Sequence, residues 1–168
     1  MFPAKSIDPG MRPRARAAPR QRGLTLIEII VVVAILSIVA AAAIPVYEGY
    51  VNEARIARSI QDMRQMSLIL DDLYQEGAPP ATLAAVGLDN MTDPWGNPYR
   101  YLWLRGNPAP GLNGQRRRDK SMNPVNSDYD LYSIGMDGAT VSQFAGGPAR
   151  DDVVRANDGD YFGLAGDH

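Results

Sequence analysis

Side chains able to do covalent or metal chemistry are few in this 168-residue chain, and their types narrow its possible work. There is no cysteine, which removes disulfides, thiolate metal sites and cysteine nucleophiles. The one histidine is His168, in a position where chains usually fray. A Ser-His-Asp triad or a histidine-rich zinc site therefore has no raw material. Carboxylates remain. Asp137 precedes a glycine, and Asp151 and Asp152 are adjacent, all in irregular sequence. Such hard oxygen donors suit calcium, which takes six to eight oxygens, backbone carbonyls included, at about 2.3–2.6 Å. Asp137, with Asp128 and Asp130, also suits plain turn formation, which Asp does often. A carboxylate-dependent hydrolase of the glycosidase kind is the enzymatic alternative, but the loop positions read as structural, and no enzyme is expected. Arg116, Arg117, Arg118 and Lys120 form a basic cluster that suits a solvated loop or docking to an acidic partner.

One further carboxylate stands out by its surroundings. Glu28 abuts residues 29–46, IIVVVAILSIVAAAAIPV, a run of 18 with no charge and only Ser37 polar. As a helix this run spans roughly 27 Å, close to the ~30 Å of a bilayer's hydrocarbon. It is apolar all round, so lipid is its natural solvent. Six basic residues (Lys5, Arg12, Arg14, Arg16, Arg20, Arg22) precede Gly23 against the single acid Asp8; beyond it lie 11 Lys/Arg and 18 Asp/Glu. The basic leader is a topology signal that puts itself in the cytoplasm and the acidic body outside. An acidic body also argues against nucleic-acid binding. Three readings of the segment compete: a cleaved secretory signal ending near the alanines at 40–43, a plain single-pass anchor, or an anchor trimmed before the apolar run. An acid at the edge of the span serves neither of the first two, and is costly in lipid unless a cation meets it.

The elements that must carry these residues follow from periodicity. Pro45 interrupts the apolar helix, as a kink or a local melt. Tyr47 and Tyr50 suit a membrane-water interface. The helix then continues, with Ile56, Ile60, Met63, Leu70 and Tyr74 on one stripe and Met66, Ile69 and Leu73 widening it. Gly77 and the prolines at 79 and 80 stop it. Arg55, Arg58, Arg64, Asp62, Asp71 and Asp72 form an opposite face, read as solvated, with salt bridging between subunits as the alternative. Residues 81–88 suit a short helical turn, and the two prolines and glycine of 93–99 dictate a fixed turn. Residues 99–104 and 129–134 alternate as strands, 105–127 reads as a long loop, and Tyr161-Phe162 as a last short strand in a looped tail. The outline is α+β: one long amino-terminal helix, its first half membrane-spanning, packed on a small antiparallel sheet with a long carboxy-terminal loop.

Gly23-Leu24-Thr25-Leu26-Ile27-Glu28 resembles the processing site of the type IV pilin-like superfamily. Asp93-Pro94-Trp95-Gly96-Asn97-Pro98-Tyr99, then 127–138 (SDYDLYSIGMDG) and a downstream Asp pair, resemble more narrowly the major pseudopilins of type II secretion systems. The similarity covers most of residues 24–154, and departs from the family in a longer insertion at 139–150. It implies a pilin-like fold in three parts: a cleaved leader (1–23), a transmembrane and filament-core helix (24–50) and a periplasmic body (51–168). A prepilin peptidase would cut between Gly23 and Leu24, and Leu24 would be methylated. Glu28 would set filament register by pairing with the free amino terminus of a neighbouring subunit. The resemblance further implies calcium held by the side chains of Asp137, Asp151 and Asp152 and the Ile134 carbonyl. The expected partners are the chain itself, membrane lipid, minor pseudopilins and an inner-membrane secretion platform, with single-pass location in a bacterial inner membrane. A type IV pilin of a surface fibre is the alternative. Met11 is a second possible start, closer to the family's usual leader length.

Overall fold

The structure, a computed structural model, describes residues 23–168; the basic leader and both possible start residues lie outside the described residues. The first helix, α1, runs Leu26–Gln75 with Pro45 inside it. The chain divides into two compact units, one reaching Ala43 and the other Ile44–His168. In the first unit every described residue is exposed, Leu26 and Ile38 by 79% and 72%, so its aliphatic surface has no partner among the described residues. The helix is long and apolar enough there to cross a membrane.

In the second unit the same helix turns amphipathic. Ser59, Met63, Met66, Ser67 and Leu70 are its buried residues, spaced by threes and fours along one face. Ile56, Ile60 and Tyr74 pack at the margin of that core. Ile69 does not join the stripe: with Leu68 it is exposed, at 46% and 74%, because its position falls outside the narrow arc that meets the sheet. Gly77, at φ +77, closes the helix. Its amide donates to the Tyr74 carbonyl and that of Ala78 to Leu73, a Schellman arrangement that satisfies the final carbonyls.

The sheet is an antiparallel meander of four strands in the order β1 (Arg100–Trp103), β2 (Tyr129–Ser133), β3 (Val153–Ala156) and β4 (Tyr161–Leu164). A 3-10 turn covers Leu83–Val86, and one turn of helix, α2 (Leu112–Gln115), lies within the long loop at 105–127. Tyr129, Leu131 and Val153 face α1 with Met63, Met66 and Leu70. Val154 and Ala156 form a second core on the opposite face with Val125, Phe144 and Ala165. Strand β3 is a correction to the looped tail read from the sequence. All four of its residues are buried, so its two faces carry no polar alternation to reveal it. His168 is likewise not frayed: its ring meets Phe144 and Tyr161 edge-on at 5.4 and 5.0 Å.

Candidate functional site

Two places carry the residues singled out by sequence. The first is the entry to α1. Gly23 has open space around it and Leu24 is 72% exposed, so the bond between them is accessible. Just beyond, the Thr25 hydroxyl accepts from the Glu28 amide at 3.3 Å while Glu28 Oε2 accepts from the Thr25 amide at 3.4 Å. This reciprocal pair is a capping box, in which two amides at the start of the helix find side-chain acceptors. The sequence reading gave Glu28 a cost in lipid and a role in register, but not this cap. The Thr-x-x-Glu spacing ahead of an apolar run was the signal it passed over.

The second place lies where the end of β2 meets the start of β3. Asp93, 3% exposed, accepts from the amides of Trp95 and Asn97 at 3.0 and 2.8 Å through Oδ1, and from the Ser133 hydroxyl at 2.5 Å through Oδ2. Asn97 donates from Nδ2 to the Gly135 carbonyl at 3.0 Å. Gly135 sits at φ +66, and a Cβ there would lie 2.5 Å from the Asp151 carbonyl oxygen and 2.6 Å from its Oδ2. Only glycine fits such a left-handed, crowded position. Asp151 Oδ2 accepts from the amides of Met136 and Asp137 at 2.8 and 3.0 Å. Asp137 is exposed and accepts from the Ala139 amide at 2.8 Å, a local turn bond. Ile134 is buried at the end of β2.

Asp152 turns inward. Fully buried, it pairs through Oδ2 with Arg117 and accepts from Thr140, while its Oδ1 has no partner. Burial pushes its carboxyl up to about 6, against the pull of Thr140 and Arg117. Asp130, bonded to the Arg117 amide and to Asn126, is raised by burial to about 6 as well. Arg117 is itself 2% exposed, donates to the Val141 carbonyl, and lies 3.7 Å over the Tyr132 ring. The basic cluster of 116–120 is therefore no solvated patch at its centre: its middle arginine is a core residue. A second buried arginine, Arg155, forks onto both oxygens of Asp128 at 2.9 and 2.7 Å and lies 4.0 Å over Tyr129. Asp71 accepts from the Tyr129 hydroxyl at 2.7 Å and Asp62 from Tyr99 at 3.2 Å, so two acids of the supposedly solvated helix face bind the body.

The donors suit a hard cation. The partnerless Asp152 Oδ1 is an oxygen a cation would satisfy, whereas Asp151 Oδ2 is already taken by the Met136 and Asp137 amides. No group of three or more acids or histidines gathers at one point among the described residues, so backbone carbonyls would have to complete the shell.

Residues 18–44 match the prokaryotic N-terminal methylation motif. The chain is 32% identical over 143 residues to the type II secretion system core protein G of Pseudomonas aeruginosa, across 71% of this chain and 86% of that one. A fimbrial protein of Neisseria meningitidis is 28% identical over 145 residues, covering 82% and 81%. A type IV major fimbrial protein of Dichelobacter nodosus is 29% identical over 126 residues, covering 73% and 74%. No solved structure matches.

Proposed function

This chain belongs to the pilin-like superfamily and, within it, to the family of type II secretion major pseudopilins, and on that premise we propose that it is the repeating subunit of a periplasmic pseudopilus. The observation that carries the reading is the pairing of an exposed, membrane-length helix with the methylation motif spanning its start. The chain is a single-pass, membrane-anchored protein, and its acidic body stands on the periplasmic side. The work is mechanical. A prepilin peptidase removes the leader after Gly23, Leu24 is methylated, and apolar helices pack along a filament that helps drive export across the outer membrane. Minor pseudopilins and the inner-membrane platform are its partners in assembly. Mass spectrometry of the native amino terminus tests the premise. The expected mature chain begins at a methylated Leu24; a chain still carrying its arginine-rich leader, or trimmed beyond the alanines at 40–43, would overturn it. The fimbrial relatives support a surface fibre as the second reading, and a deletion strain that lost surface fibres but kept export would favour it.

In this reading Glu28 serves twice. Its capping bond with Thr25 satisfies it within its own helix, and in the filament it meets the freed terminus of a neighbouring chain, which fixes axial register.

Calcium belongs to the same proposal. Asp137, Asp151 and Asp152, which do not converge on one point in this structure, would have to close on it together with the Ile134 carbonyl, and it would then supply a dipositive cross-link between the end of β2 and the start of β3. Support comes from the orphaned Asp152 oxygen and the hard-oxygen chemistry of the loop. Thermal unfolding of the full chain in detergent micelles, with calcium or with excess chelator, tests it. A higher melting temperature with calcium is expected, and equal temperatures would remove the ion.

A further inference from the structure

The fixed turn at 93–97 has no assigned role in assembly or ion binding. Its side chains nevertheless reach across the fold into the acidic loop. Asp93 is buried and each of its oxygens is occupied, one by the turn's own amides and the other by Ser133. Ser133 in turn accepts from the Gly135 amide at 3.1 Å, and Asn97 takes the carbonyl of the same glycine. Both polar groups of the Gly135 backbone are thus held from this turn, one directly and one through a hydroxyl. Asn97 Oδ1 lies 3.7 Å from where a Cβ on Gly138 would stand, so the side chain spans the loop from 135 to 138. With Gly135 pinned, the next two amides, Met136 and Asp137, converge on Asp151 Oδ2.

We infer that Asn97 and Asp93 are positioning residues for the acidic loop, setting the peptide planes of residues 135–137 so that Asp151 is oriented and the loop is held in place for a cation to close on. The turn supplies what a short irregular loop lacks, a rigid reference outside itself. Pro94 and Gly96 within it and Pro98 just after it fix its backbone, so holding the loop costs little further ordering. Groups one step behind a metal's ligands commonly alter affinity by about 10–100-fold. The consequence for ion affinity rests on the calcium reading, whereas the consequence for loop order does not.

The experiment uses the full chain in detergent micelles, as wild type, Asn97→Ala and Asn97→Asp, with backbone amide exchange and calcium titration calorimetry on each. Asn97→Asp keeps the size of the side chain but sets an acceptor against the Gly135 carbonyl. A space-filling role would tolerate it; a donating role would not. Both variants are expected to speed exchange at Met136 and Asp137 by about tenfold and to raise the calcium Kd by about tenfold, leaving the β2 and β3 amides protected. Wild-type exchange in both variants would overturn the inference. A wild type that binds no calcium, with variants that still exchange faster at 136 and 137, would remove the ion and keep the brace. If a variant loses its near-ultraviolet circular dichroism, Ser133→Ala, which cuts only the hydroxyl link, is read by the same exchange criterion.

Discussion

Single residues set the sharpest conditions in this protein. Arg117 and Asp152 form a buried ion pair whose members are 35 positions apart, so no local pattern could disclose it. Breaking such a pair strands a charge: Arg117→Met is expected to destabilise the body by about 3–5 kcal/mol, with much of the loss restored in Arg117→Met/Asp152→Leu, read by chemical denaturation. Gly135→Ala combines a left-handed backbone with collision against Asp151, and is expected to cost about 2–4 kcal/mol. Asp130 makes a pH prediction. Its folded carboxyl titrates near 6, above its ordinary 3.8, so the folded state holds the proton more tightly. Its contribution is fully present below about 4 and is lost as pH rises through 6, on the order of 2–3 kcal/mol, with Asp152 acting in the same sense. Asp158, which burial alone would raise, is lowered by its bonds to Ser127 and Asp128 and by Arg155, so its contribution works the other way and is lost only at still lower pH. Asp130→Asn is expected to flatten stability between pH 4 and 6, and an unchanged slope there would refute the assignment. The acids themselves were legible in the sequence as oxygen donors or turn formers. Their partners were not, since a buried arginine looks like any other in a run of three.

At the scale of elements, the helix was the most legible part, because 18 unbroken apolar residues admit few structures. Its lower half was readable from the three-four spacing, apart from Ile69. Strands β1 and β2 were visible by alternation, while β3 was hidden by its burial on both faces. The helix start yields a test that separates two roles of one residue. Glutamine can occupy the third position of a capping box as glutamate does. Glu28→Gln is therefore expected to keep the cap and membrane insertion but to lose filament assembly, seen by electron microscopy. Filaments of wild-type abundance from Glu28→Gln would show that charge at this position is dispensable.

The whole molecule is a chain with two solvents. Its body closes on cores on both faces of a four-stranded sheet, while the helix up to Tyr50 buries nothing among the described residues. That surface cannot tell a lipid tail from the aliphatic side of a sister helix, because both are equally apolar. Passage from bilayer to fibre therefore exchanges one hydrocarbon neighbour for another at small net free energy. A subunit leaving the fibre would then have a bilayer to return to.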